Sequence, residues 1–247
     1  MKKIVIALLI TISALFGGKI NIAVASNVSN AMDEIKAEFK KNNPNTEVLV
    51  TLGSSAKLAT QIINGAPYGI FMSADMKFPH ALYDEKIAIT EPIIYAQGEI
   101  AYLSVKAIDF SKGIELVLDA SINKIAVANP ATAPYGMATI EAMKNAQVYE
   151  AIKSKIVYAE SISQVVSYAI TAADVGFIAK ASLFSEEMAK YKEGIHWVVV
   201  DSKLYTPIKQ GIVLLKNSQN SSEYRAFYDF ILSQKGKEIF KKYGYLE

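Results

Sequence analysis

The sequence predicts an α/β protein of two lobes with a ligand cleft between them. Three observations carry this. Short β-branched runs alternate with amphipathic stretches, two such series follow one another, and no Gly/Ser-rich linker separates them. A β-α-β-α order implies a parallel sheet covered by helices on both faces. Two series without a linker are expected to be joined by crossing strands, so that a ligand sits in the crevice at the strands' carboxyl ends.

The elements follow in order. Residues 20–24 read as the first strand, and Met32, Ile35 and Phe39 then recur at helical spacing until Lys40-Lys41 close the turn. Residues 47–52 form the next strand. Leu58, Ile62 and Ile63 mark a helix that ends near Asn64-Gly65, residues 70–74 make a third strand, and a helix follows to about residue 87. The second series begins near Glu99, with strands expected at 100–105, 124–128, 155–158, 175–179 and 195–200 and helices at 137–143 and 165–172. The tail returns to a strand at 211–215 and ends in one helix at 223–243. The expected division is residues 19–97 plus 203–247 for lobe one and 98–202 for lobe two.

Composition bounds the function. Lys2 and Lys3 precede an uncharged apolar run at 4–16 and Gly17-Gly18, the layout of a secretory signal peptide over residues 1–18. The run is short of the about 20 apolar residues that span a bilayer. Ala23-Val24-Ala25 also has the A-x-A form of a cleavage site, but a cut there would delete the first strand, so cleavage is expected around Gly17-Gly18. Without the leader's two lysines, basic and acidic residues are equal in number. No basic excess points to nucleic acid or an anionic membrane. With no cysteine, stability must come from the core; about 229 residues beyond the leader suffice, since chains of that size bury roughly 70% of their unfolded surface.

Catalytic constellations are scarce. Two histidines, His80 and His196, and no cysteine leave little for a zinc site or a nucleophile pair. No G-x-S-x-G, P-loop or G-x-G-x-x-G occurs, and the acids form no evident pair, which argues against an enzyme. What recurs is a strand-to-helix junction with small or hydroxyl residues: Ser26-Asn27, Gly53-Ser54-Ser55, Pro134-Tyr135-Gly136 and Ser161-Ile162-Ser163. Each places unpaired N–H groups and the positive end of a helix at a strand's carboxyl end. Singly, Ser and Asn there are ordinary N-caps. Four junctions split between two lobes describe a pocket of neutral donors for an anion.

Lys57 is the only cation near the first two junctions, and it lies one turn into its helix. Neutral N–H and O–H donors suit a fully deprotonated dianion such as molybdate, tungstate or sulfate, and disfavour a protonated oxyanion, which must donate. Hydrogen bonds to a charged group contribute about 1.5–3 kcal/mol each, so about seven outweigh an association cost of about 4–15 kcal/mol.

The segments IAVASNVSNAMDEI, TLGSSAKLATQIINGAPYGIFMSAD, ANPATAPYGMATIEAM, VGFIAKASL and FYDFILSQKGKEIFKKYGY cover most of the chain beyond the leader. They resemble the periplasmic molybdate-binding proteins of molybdate ABC transporters, which have the type II periplasmic-binding-protein fold. The resemblance implies a solute-binding protein, not an enzyme, that captures molybdate and also tungstate in the periplasm and passes it to a membrane permease. It implies no cofactor, no direct metal ligand, no nucleic-acid partner and a monomer. It places the oxyanion on the hydroxyls of Ser26 and Ser55, with Ser54 next in line, and on the N–H groups of Tyr135 and Ile162. Many members add a tyrosine where this chain has Ala179, and the resemblance suggests that Asn27 and Tyr135 compensate. The family's Asp in place of Gly69 is also missing, and that Asp is read as structural. The rivals are a sulfate or thiosulfate carrier and a ferric-ion carrier of the same fold and, from another class, a secreted enzyme or sensor domain, against which the lack of a catalytic constellation counts. The ferric carrier would need clustered tyrosines, and only the third junction carries one.

Overall fold

The computed structural model describes residues 18–106 and 108–246. The leader proposed for residues 1–18 lies outside this range except for Gly18. Among the described residues no helix is long and apolar enough to cross a membrane.

The first strand, β1 (Lys19–Ala25), is an inner strand in the parallel part of the first sheet, and Ile22, Ala23 and Val24 are fully buried on both its faces. Its neighbours are β2 (Glu47–Gly53) and β3 (Ile70–Met72), both parallel to it. Helices α1 (Ser29–Asn42), α2 (Ser55–Ile63) and α3 (Lys77–Asp84) follow the three strands in turn. A strand that the sequence does not announce, β4 (Ile93–Gly98), completes this half. It exposes Ile93 and Ile94, so it shows neither clean alternation nor a continuous buried run.

Glu99 carries the chain into the second sheet. This contains β5 (Ile100–Leu103), β6 (Ile125–Ala128), β7 (Ile156–Ala159), β8 (Val175–Ala179) and β9 (Trp197–Val199) in the order β7-β6-β8-β5-β9. Its helices are α4 (Pro134–Asn145), the short α5 (Tyr149–Ile152) and α6 (Ile162–Thr171). The chain then returns through β10 (Ile208–Leu214), which enters the first sheet antiparallel between β3 and β4, giving the order β2-β1-β3-β10-β4.

The single terminal helix expected at 223–243 is two: α7 (Ser222–Leu232) and α8 (Gln234–Lys242). Ser233 sits between them in extended backbone, and its hydroxyl accepts from the Gly236 N–H, so one helix ends where the next is capped. Both helices pack on α1, with Phe227 edge-on to Phe39 at 5.0 Å. The observed architecture is α/β, as expected, with two mixed sheets crossed by two connections.

Candidate functional site

Four turns meet where the parallel strands of both sheets end. They enclose a cavity lined by Ser26 and Asn27 from the first, Ser54 and Ser55 from the second, Pro134 and Tyr135 from the third and Ile162 from the fourth. Ala25, Gly53, Ala74 and Ala133 close the gaps. The cavity is small, and its lining comes from all four turns. A larger cleft of about 280 Å³ lies beneath α8, between Tyr95, Lys237 and Phe240, but no helix begins there.

The local sequence explains each wall. After β1 the chain tightens into a 3₁₀ turn, Ser26–Val28, before α1 begins, which leaves the N–H groups of this turn facing the strand end. Ser54 stands at the N-cap position of α2, yet its buried Oγ makes no capping hydrogen bond and has no partner. Ser55 Oγ accepts from the Ala74 N–H at 3.0 Å. With a lone pair engaged there, its proton is free to point into the cavity. Pro134 opens α4 and has no N–H of its own, so the first helical N–H is that of Tyr135. At α6 the hydroxyl of Ser161 caps the Gln164 N–H at 3.4 Å, and the Ile162 N–H is left free at the helix start.

No charged side chain lines this cavity. Lys57 turns outward to Glu160 across the mouth, at 2.5 Å, with both side chains more than half exposed. Beside this pair the Ala56 N–H donates to the Thr132 carbonyl at 3.1 Å, a second bond between the two halves. Among the described residues there is no cluster of His, Cys, Asp or Glu able to hold a metal ion. His196 Nδ1 accepts from the Lys192 N–H and lies in a different part of the fold.

Ser26, Asn27, Ser55, Tyr135 and Ile162 are thus brought together. The side chains of Asn27 and Tyr135, however, do not stand free as donors to the cavity. Asn27 Nδ2 donates to Gln210 Oε1 at 2.9 Å and to Tyr245 Oη at 3.1 Å, and Tyr135 Oη accepts from Gln210 Nε2 at 3.1 Å. Burial raises the tyrosine hydroxyls at 135, 95 and 245 far above their ordinary pKa, so all three remain neutral. Gln210, Tyr95 and Tyr245 carry no local sequence signal; they lie 183, 115 and 218 residues from the groups they bind. Ala179 is fully buried at the end of β8 and does not line the cavity. At Gly69, any Cβ would collide with the ring of Tyr224, whose hydroxyl accepts from the Asn21 N–H. That ring occupies the space a side chain at this position would need, and Gly69 does not line the cavity.

Comparison with known proteins gives the family of the chain. Residues 20–246 match the family of bacterial extracellular solute-binding proteins. The chain is 36% identical over 232 residues to the molybdate-binding protein ModA of Rhodobacter capsulatus, covering 93% of this chain and 88% of that protein. It is 30% identical over 229 residues to ModA of Azotobacter vinelandii, covering 92% and 89%. The structure of the Azotobacter vinelandii periplasmic molybdate-binding protein superposes with a TM-score of 0.85 at 28% identity, over 92% of this chain and 99% of that one. The chain belongs to the bacterial extracellular solute-binding proteins and, within them, to the ModA family.

Proposed function

We propose that this protein captures molybdate, and tungstate with it, in the enclosed cavity, and hands the ion to the membrane permease of an ABC transporter. The observation that carries this reading is the lining of the cavity: walls of neutral donors and four helix starts converging on it, with no charged side chain among them. Helix N-termini favour a negative charge without any salt bridge. Ser26, Ser54 and Ser55 supply hydroxyls, and Asn27, Tyr135 and Ile162 supply backbone N–H groups. A tetrahedral dianion accepts at every oxygen and meets this set without protonation. A ferric ion would need anionic ligands, and neither a carboxylate nor a free phenol faces the cavity.

Residues 19–97 plus 203–247 form lobe one in this reading and 98–202 form lobe two, with Glu99 and the segment before β10 as hinges. The protein acts as a monomer in the periplasm, delivered there by the leader at 1–18, and performs no chemistry on its ligand. Isothermal titration with sodium molybdate, tungstate, sulfate and phosphate tests the assignment. Saturable molybdate heat with little phosphate heat is expected. Phosphate binding without molybdate binding would overturn it.

A further inference from the structure

Tyr135 opens α4 beside the cavity, and its phenol is buried where the two sheets' halves meet. The residue is 1% exposed, and its Oη is hydrogen-bonded to the Gln210 amide at 3.1 Å. Gln210 belongs to β10 of the first sheet, so this bond joins the two halves. Gly98, the last residue of β4, lies against it. A Cβ at Gly98 would overlap Tyr135 Oη and stand 2.7 Å from both Tyr135 Cζ and Gln210 Nε2, inside the 3.0 Å that side-chain carbons keep. Gln210 has little room to give, being fully buried and held by Tyr95 Oη at 2.8 Å. The backbone of Gly98 is not left-handed, so space alone excludes a side chain there.

The hydrogen bonds around the two crossings place Gly98 and Tyr135 on different bodies. Gly98 pairs with Ile208 inside the first sheet, and Gln97 before it exchanges both backbone bonds with Leu246. The next carbonyl, that of Glu99, accepts from the Lys180 N–H at 2.9 Å, and Ile100 pairs with Ala179 in the second sheet. The Ile100 N–H also donates to Tyr205 Oη at 3.3 Å. The returning crossing is gripped by α4: Asn145 Nδ2 donates to the Leu204 carbonyl at 2.8 Å, and Thr206 Oγ1 donates to Glu141 Oε1 at 2.8 Å. The first half therefore holds the chain up to Gly98 and from Ile208, and the second half holds it from Glu99 to Thr206. The links left to bend are the Gly98–Glu99 junction and Pro207. Gly98 is the last residue carried by one body, and Tyr135 rides on the helix that grips the other.

Resting on the two-lobed oxyanion reading above, we propose that Gly98 is a positioning residue for closure. The space left by its missing side chain receives the Tyr135 phenol as the lobes close, and that seat sets the Tyr135 N–H on the ion. In the open form α4 draws the phenol back, and the space at Gly98 is free.

The test is a double-mutant cycle on molybdate affinity with Gly98→Ala, Tyr135→Leu and the pair, alongside thermal melting of each with and without molybdate. Leucine keeps the backbone N–H at 135 and is too short to reach the space at Gly98. In the wild-type background Gly98→Ala is expected to weaken binding on the order of tenfold. Beside Tyr135→Leu the same change should cost little, because the clashing group is gone. Ligand-free Gly98→Ala should melt as wild type does, with a smaller rise on adding molybdate. Unchanged affinity in Gly98→Ala, or an equal loss in both backgrounds, would overturn the proposal. So would a ligand-free Gly98→Ala that melts well below wild type or does not fold, since the phenol would then fill the space in both states. Should Tyr135→Leu bind too weakly to titrate, the melting of Gly98→Ala with and without molybdate decides. In all these outcomes wild-type molybdate binding stands; its absence would instead sink the oxyanion reading, and this proposal with it.

Discussion

The wall built from turns of the first sheet carries hydroxyls at Ser26, Ser54 and Ser55, whereas the wall built from turns of the second offers the N–H groups of Tyr135 and Ile162 at the starts of α4 and α6. The hydroxyl wall depends on side-chain identity. The N–H wall depends on where two helices begin, and almost any residue except proline there supplies the donor. Substitution should therefore act on the two walls in different ways.

The largest effect is expected at Ser55→Ala. It removes a donor to a dianion, worth about 1.5–3 kcal/mol of affinity, or roughly tenfold to a hundredfold. It also leaves the buried Ala74 N–H without its acceptor, at a cost of about 1–3 kcal/mol in stability. Titration calorimetry and thermal melting separate the two. Unchanged affinity would move the donor role to Ser54, whose hydroxyl is also available.

On the other wall Ile162→Pro is the sharper tool. Proline is well tolerated at a first helical position, and Ser161 before it is already extended at φ −136°, ψ 162°, as a residue preceding proline must be. The change deletes the N–H while α6 persists, and molybdate affinity should fall by about 1.5 kcal/mol or more. Circular dichroism checks the helix, and full affinity with α6 intact would remove Ile162 from the site.

Tyr135→Phe keeps the backbone donor and loses only the hydroxyl on Gln210. A loss of about 0.5–1.5 kcal/mol is expected. The smallest effect should come from Lys57→Ala, which opens the exposed rim pair with Glu160. It should change affinity by about 0.2–1 kcal/mol, and the difference should fade as salt is raised. A larger, salt-insensitive loss would mean that Lys57 reaches the ion.

The four junctions were legible because each is local: a strand end, a small or hydroxyl residue and a helical repeat lie within a few positions. Ser26, Ser55, Tyr135 and Ile162 all line one cavity. What the sequence hid is long-range. Strand β4 exposes both its isoleucines at one end and shows no clean period. Gln210 sits in an ordinary strand run, and nothing nearby marks it as the partner of Asn27 and Tyr135. For the same reason the asparagine and tyrosine read as free compensating donors are in fact bonded to a third residue. The break at Ser233 shows the opposite failure. The periodicity continues across it, and only the cap at Gly236 reveals two helices.

In the proposed binding mode neutral donors hold the ion through its oxygens and no protein atom touches the metal. Molybdenum K-edge X-ray absorption of the loaded protein tests it directly. The expected result is an oxygen shell that stays tetrahedral, with distances matching those of free molybdate. An octahedral shell, with added protein oxygen or nitrogen ligands, would contradict it.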